Sequence, residues 1–322
     1  MTATPTETLI TVFGGSGFLG RHVVRALAKR GYRIRVAVRR PDLAFYLQPA
    51  GQVGQIHAVQ ANLRHPASVD AAVRDADVVV NLVGILFERG RQHFDTVQAF
   101  GAEACALSAA AHGARLVHIS AIGADEQSRS HYARSKAVGE KLVRAAVPGA
   151  TILRPSIVFG PEDAFFNRFA AIARLAPALP LIGGGHTRFQ PVFAGDVAAA
   201  VVAAIEGRAT PGAVYELGGP SVRSFKELMQ YLLATIERRR LLLPIPFALA
   251  KVPAFFLQFL PTPLLTPDQV ELLRHDNVVS EEAKLARRTL DGLGITPTTM
   301  EAVVPSYLHR FRKAGQFRVR SI

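Results

Sequence analysis

Three glycines spaced three apart close the first strand-like segment, and they constrain the fold more than any other feature of the 322 residues. Leu9–Phe13 is an apolar run suited to a buried strand, and Gly14-Gly15-Ser16-Gly17-Phe18-Leu19-Gly20 follows it directly. Phe18, Leu19, Val23 and Leu27 then recur at helical spacing as far as Lys29. In a strand–turn–helix unit of this kind, Gly14 permits the tight turn and Gly17 lets the backbone approach a pyrophosphate. Gly20 lets the helix lie close on the strand. The helix N-terminus then offers free N–H groups and the positive end of its dipole to phosphate. A purely structural glycine turn shares the spacing; the place between strand and helix favours the nucleotide reading.

The rest of the first half repeats the alternation. Arg33–Val38, Gln55–Gln60, Asp77–Leu82, Leu116–Ile119 and Ala150–Leu153 read as strands, with helices over Ala67–Arg74, Gln92–Ala111 and Ala133–Ala146. Right-handed crossovers make this an α/β chain with a doubly wound parallel sheet. After Pro155 the pattern loosens, with Gly- and Pro-rich loops at Gly183–Gly185 and Gly218-Gly219-Pro220. A helix over Val197–Glu206, with Asp196 as its N-cap, and a strand over Ala213–Leu217 are expected to return to the sheet. The expected division is a nucleotide-binding domain over 7–220, its nucleotide half ending near 155 and its return elements spanning 156–220. A smaller C-terminal lobe over 221–322 follows.

Composition narrows the class. With 49% hydrophobic and 20% charged residues, the chain suits a packed core. Cys105 is the single cysteine, so no disulfide can form within the chain, and its Ala-rich helix suits a small buried apolar group. The net charge of +13 is carried mostly by arginine, whose planar fork suits phosphate and carboxylate. A phosphorylated cofactor, an anionic membrane surface or an acidic partner would answer that charge. No nucleic-acid motif accompanies it, and no metal site is expected. Met1–Thr8 has no apolar signal core, and no apolar run reaches the roughly 18 residues of a membrane span.

At the end of the second strand, an acidic residue would bind the ribose 2′-hydroxyl of NAD. Arg39 and Arg40 stand there instead, which favours NADP(H) over NAD(H) through its 2′-phosphate; a solvated basic loop is the alternative. Asn62 and Leu63 follow the third strand, and Leu82, Val83 and Gly84 the fourth, all at the carboxyl edge where such sheets bind ligands. Asn62 equally suits an ordinary turn.

Ser120 ends the fifth strand, and Tyr132 and Lys136, four apart, share one face of the next helix. An ammonium beside a phenol favours the phenolate. Such a tyrosine passes a proton to or from a substrate oxygen during hydride transfer, with Ser120 bonded to the same oxygen. A surface pair on a helix is the bland alternative. The glycine turn with Tyr132-x-x-x-Lys136 resembles the short-chain dehydrogenase/reductase superfamily, which implies a Rossmann-type fold and a catalytic role for Ser120, Tyr132 and Lys136.

Longer stretches carry a closer resemblance: Arg154–Asp163, Gly183–Val197, Tyr215–Pro220, Leu265–Val270 and Asp276–Val279. Together they resemble the alpha-subcomplex subunit 9 family of respiratory complex I, the NADH:ubiquinone oxidoreductase. That resemblance implies an accessory subunit that holds NADPH and supports assembly or stability near the quinone region. It would sit peripherally on the cytoplasmic face of the inner (plasma) membrane, against complex I core subunits. It further implies that Gly14, Ser16, Gly17, Phe18, Leu19, Gly20, Arg39, Arg40, Gly84, Tyr132 and Lys136 touch the cofactor, with Pro155 and Ile157 by the nicotinamide. Because Ser120, Tyr132 and Lys136 are all kept, an active NAD(P)-dependent reductase or epimerase is the competing reading.

Arg238-Arg239-Arg240 precedes the apolar stretch Leu241–Leu265, which Pro244, Pro246, Pro253, Pro261 and Pro263 interrupt. A short helix over Phe247–Leu260 is expected there, either at a membrane interface or partner surface, or as part of the smaller lobe's core or a wall over the nicotinamide. The basic stretch His309–Arg320 suits either a docking strand or a solvated tail.

Overall fold

In chain order the strands and helices are β1 (Leu9–Phe13), α1 (Phe18–Lys29), β2 (Arg33–Val38), β3 (Ile56–Gln60), α2 (Pro66–Val73), β4 (Val78–Asn81), α3 (Phe100–Ala111), β5 (Arg115–Ile119), α4 (His131–Ala146) and β6 (Thr151–Pro155). There follow β7 (Val158–Phe159), α5 (Phe166–Leu175), β8 (Ala178–Ile182), β9 (Arg188–Phe189), β10 (Val192–Phe193), α6 (Ala194–Ile205), β11 (Val214–Leu217), β12 (Arg223–Ser224) and α7 (Phe225–Thr235). The last are β13 (Leu241–Ile245), α8 (Phe247–Leu257), α9 (Pro267–Leu272), α10 (Glu281–Leu285) and α11 (Met300–Leu308). The computed structural model describes residues 4–260, 263–313 and 315; the rest of the basic C-terminal stretch lies outside the described residues, as does Pro261.

The chain forms two compact units, neither of them one continuous stretch. The first holds Met1–Pro155, Gly195–Leu217 and Ser280–Thr296; the second holds Ser156–Ala194, Gly218–Val279 and Pro297–Ile322.

The first unit is built on a seven-stranded sheet in the order β11-β6-β5-β4-β1-β2-β3, every pair parallel. This is the doubly wound α/β arrangement expected from the strand–helix alternation. Central strands covered on both faces must be apolar throughout, and all four residues of β4 are buried. α1 buries Gly20, Val23, Val24, Leu27 and Ala28, one face of a helix. One expected element differs: the continuous helix over 92–111 is broken by a π-helical turn, Asp95–Ala99, before α3. That turn meets α4 closely, since a Cβ on Gly139 would stand 2.4 Å from the Gln98 carbonyl oxygen. Asp196 also differs from expectation: α6 begins at Ala194, so Asp196 is the third residue of the helix and does not stand at its N-cap position.

The second unit packs α5, α7 and α11 around Phe159, Phe166, Leu228, Met229, Leu232 and Val304. Its loops are stitched by the residues of the late sequence stretches. Asn277 Oδ1 accepts from Ser156 Oγ at 2.7 Å and from the Ile157 N–H at 3.1 Å. Asp276 pairs with Arg188 at 2.7 Å, and Gln190 donates to the Gly219 carbonyl and accepts from the Val279 N–H. Thr266 and Gln269 form a capping box on α9. α8 ends at Leu257, three residues short of the expected helix.

Candidate nucleotide site

The strand order of the first unit reverses between β1 and β4, with β2 and β3 on one side and β5, β6 and β11 on the other. Loops leaving neighbouring strands in opposite directions open a crevice past the carboxyl ends, the usual ligand position in such sheets. Here it is a cavity of about 410 Å³. Gly14, Ser16, Gly17, Phe18, Leu19 and Gly20 line it from the turn, Arg39 from the end of β2, Asn62 and Leu63 from β3, and Leu82, Val83 and Gly84 from β4. Ala61, Arg64, Ile85, Gln92 and Val97 also line it, although none stood out in the sequence. Arg64 carried one legible signal, its place two residues past Asn62 on the same sheet edge; the others carried none.

The turn is shaped for close approach. Gly14 adopts φ +77°, and a Cβ on Gly20 would stand 2.3 Å from the Gly14 carbonyl oxygen and 2.6 Å from the Gly15 carbonyl carbon. The strand therefore meets the helix backbone to backbone. α1 has no side-chain cap and no acidic residue in its first turn, so nothing anionic of its own covers the helix N-terminus. A brace absent from the sequence reading comes from the 3₁₀ segment Pro41–Ala50: the Tyr46 hydroxyl donates to the Ser16 carbonyl at 2.7 Å, and the Arg21 guanidinium lies 5.1 Å from the Tyr46 ring centre.

The two arginines after β2 part company. Arg40 pairs with Asp42 at 2.9 Å and does not line the cavity, whereas Arg39 does. Asn62 acts partly as a turn residue: its Oδ1 accepts from the Arg64 N–H at 3.2 Å while the residue still borders the cavity.

α4 begins under a serine cap, the Ser130 hydroxyl accepting from the Ala133 N–H at 3.2 Å. Tyr132 therefore stands in the first turn and Lys136 one turn on. Lys136 Nζ lies 6.0 Å from the centre of the Tyr132 ring and donates to the Ile119 carbonyl at 3.2 Å. A Cβ on Gly84 would stand 3.3 Å from that Nζ, so the ammonium lies behind a residue that lines the cavity, while Ser120, Tyr132 and Lys136 are not themselves among the lining residues. The Tyr132 ring stacks edge-on with Phe94 at 5.8 Å. Ser120 directly follows β5, and its buried Oγ has no hydrogen-bond partner among the described residues. Pro155 closes β6, its carbonyl accepting from the Ile122 N–H at 3.1 Å, while Ile157 belongs to the second unit.

Beneath this constellation runs a buried polar chain that sequence reasoning missed. The Asn81 side-chain oxygen accepts from the Val83 N–H at 3.0 Å, so its amide nitrogen donates to His118 Nδ1 at 3.3 Å. That assignment leaves the imidazole proton on Nε2. Burial, with Lys136 nearby, pushes the His118 pKa down to about 3, so the ring is neutral. Burial likewise pushes Lys136 down to about 8, against an opposing pull from Glu140. An amine of lowered pKa, 6.0 Å from the centre of a phenol ring, can hold or move a proton at a carbonyl or alcohol oxygen.

Residues 10–218 match the NAD dependent epimerase/dehydratase family. A mitochondrial NADH dehydrogenase [ubiquinone] 1 alpha subcomplex subunit 9 of Arabidopsis thaliana is 37% identical over 95% of this chain and 78% of that relative. The chain belongs to the NAD dependent epimerase/dehydratase family and, within it, to the alpha subcomplex subunit 9 proteins. As a member of that family it has an NAD(P)-binding fold. It also resembles a ceramide reductase of Caulobacter vibrioides, 37% identical over 62% of each chain. Among solved structures, an NADPH-dependent quinone oxidoreductase of Escherichia coli in complex with NADPH superposes with a TM-score of 0.69 at 21% identity, covering 93% of this chain and 99% of that one. At that identity the likeness speaks for the epimerase/dehydratase fold alone.

Proposed function

We propose that the chain is an NADP(H)-holding accessory subunit of respiratory complex I, supporting its assembly or stability near the quinone region. The observation that carries this reading is the match to subunit 9 relatives over nearly the whole length, second unit included. Its partners would be complex I core subunits. Its place would be peripheral, on the cytoplasmic face of the inner (plasma) membrane, in keeping with the finding that no helix among the described residues is long and apolar enough to cross a bilayer.

In this reading Gly14, Ser16, Gly17, Phe18, Leu19 and Gly20 hold the pyrophosphate, and Asn62, Leu63, Leu82, Val83 and Gly84 border the adenosine and the nicotinamide ribose. Tyr132 and Lys136 face the nicotinamide end, with Pro155 and Ile157 assigned there by family resemblance. The glycine cradle, the uncapped helix N-terminus and the cavity beside Arg39 all fit a dinucleotide. When bound, NADP(H) supplies or accepts hydride at its nicotinamide.

Arg39 is assigned the 2′-phosphate, and Arg40, occupied by Asp42, is left a lesser share. A charge-assisted contact contributes about 1.5–3 kcal/mol, equivalent to roughly 10–100-fold in affinity. Arg39→Asp is therefore expected to weaken NADPH binding by about that factor and leave NADH binding nearly unchanged, while Arg40→Ser changes both by only a few-fold. Fluorescence titration of the two nucleotides checks this; equal effects of the two substitutions would move the role elsewhere.

The test of the subunit reading is native separation of gently solubilised membranes, probed for this chain and for NADH dehydrogenase activity. Co-migration in one large complex is expected. Migration as a small species, with the complex intact in a strain lacking the chain, would overturn it. That result would favour the second reading, an active NAD(P)-dependent reductase or epimerase. Two observations support that alternative: the buried Lys136 one helical turn from Tyr132, with its Nζ 6.0 Å from the Tyr132 ring centre, and the similarity to a ceramide reductase. Its catalytic residues would be Ser120, Tyr132 and Lys136.

A further inference from the structure

α8 packs its small residues inward and its large ones outward. Ala250 and Ala254, one turn apart, are buried with Ile182 and Val270. Leu249, Val252, Phe255 and Phe256 face away from that core and are exposed, Phe256 by 67%, and Phe259 just past the helix end by 73%. At about 100° per residue these side chains fall on one arc, opposite the two alanines. The phenylalanines are stacked into a ridge, Phe255 lying 5.6 Å from both Phe256 and Phe259 with the rings edge to face. The adjoining strand β13 adds exposed Leu241 and Leu243. An exposed apolar surface this continuous marks a binding face rather than scattered surface residues.

The charge around the ridge indicates what covers it. From Arg238 to Thr266 there are four cations, Arg238, Arg239, Arg240 and Lys251, and no Asp or Glu. Arg238 and Arg240 donate to the backbone carbonyls of Phe311 and Ala173, contacts that leave their charge uncompensated. Lys251, at the border of the arc, pairs with Glu271 outside this segment. A protein partner's surface carries both signs at its rim, whereas a bilayer of anionic lipid presents an apolar interior under a sheet of negative charge. An 11-residue helix is about 16 Å long, too short to span a hydrocarbon core of about 30 Å but long enough to lie in its boundary.

We propose that this face docks directly on an anionic lipid bilayer, with the Phe255–Phe256–Phe259 ridge entering the acyl–headgroup boundary and Arg238–Arg240 resting on lipid phosphates. This goes beyond the subunit reading, because the contact is with lipid itself and requires no other subunit.

Flotation of the purified full-length chain with phosphatidylcholine vesicles, with and without phosphatidylglycerol, tests it apart from complex I. Binding at least ten-fold stronger to the anionic vesicles, weakened by salt, is expected. Phe255→Ser/Phe256→Ser/Phe259→Ser should abolish it while NADPH binding survives, and Arg238→Gln/Arg239→Gln/Arg240→Gln should lower it about ten-fold without disturbing the ridge. Because the one native cysteine is buried, a polarity-sensitive dye placed through Phe256→Cys reports insertion separately, as a blue shift on anionic vesicles. No vesicle binding by the unmodified chain would overturn the proposal, as would binding that survives the triple Phe substitution. Ridge-dependent self-association in place of lipid binding would also overturn it and assign the face to a second copy.

Discussion

Gly20→Ala is expected to leave a chain that neither binds NADPH nor keeps its native stability. The added methyl would stand 2.3 Å from the Gly14 carbonyl oxygen and 2.6 Å from the Gly15 backbone. Both obstacles are main chain, so no rotamer change relieves the overlap. α1 must move off β1, and the phosphate turn opens with it. Overpacking against side chains costs about 1–3 kcal/mol, and against backbone the upper end applies, about 3 kcal/mol. Gly17→Ala is the control. Its methyl would meet only the Gly14 carbonyl oxygen, at 3.2 Å, so the fold should survive while the nucleotide loses its close approach. Thermal unfolding with and without NADPH separates the two, since a bound ligand raises the midpoint only where the site exists. Near-native NADPH affinity in Gly20→Ala would mean that the turn is not the cradle.

Glu140→Ala carries the second large effect. Glu140 is buried on α4 and takes two bonds of 2.7 Å from Arg154 on β6, with Arg144 adding a third contact. Removing one partner of a buried pair typically costs about 3–5 kcal/mol; Arg154 is partly exposed and keeps Glu216 at 3.8 Å, so the expected loss lies just below that range, about 2 kcal/mol. Arg154→Met in the same chain should recover part of that loss, the mark of a coupled pair in a double-mutant cycle. A second readout concerns Lys136, whose burial lowers its pKa from 10.5 to about 8 while Glu140 pulls the other way. The folded pKa lies below the unfolded one, so between pH 8 and 10.5 the unfolded chain binds more protons and stability rises with pH. Without Glu140 that rise should begin at lower pH. Denaturant unfolding across this range measures both; an unchanged pH profile would show that Glu140 does not act on Lys136.

These two residues mark the border between what was legible and what was not. Gly20 announced itself by spacing, because a turn between strand and helix admits few solutions and each is set by atoms within seven residues. Glu140 did not, because its partner Arg154 is fourteen residues away and on a different element. The same holds for Arg39 and Arg40. Adjacent in sequence, they read as equivalent, and only the path of the chain after β2 turns one to the cavity and the other to Asp42.

The stretches after Pro155 show the converse. They were recognisable as a pattern before they had a physical meaning. Ser156, Arg188, Gln190, Asp276, Asn277 and Val279 carry no chemistry separately, and in the folded second unit they are one set of hydrogen bonds holding its loops together. The π turn before α3 was illegible for another reason: the residues over 92–111 suit a helix of either kind, and the observed approach to α4 at Gly139 involves a residue far along the chain.

The sequence by itself determined the sheet of parallel strands, the glycine turn that opens α1, the two arginines in place of an acid at the end of β2 and the helix face shared by Tyr132 and Lys136. All of these rest on short-range sterics and on the 2.0- and 3.6-residue periods of strand and helix. Tertiary structure alone decided which arginine lines the cavity, that His118 is neutral and Lys136 poised near pH 8, and that α8 turns its phenylalanines outward. Burial and charge pairing are sums over neighbours brought from distant parts of the chain, so no local pattern contains them.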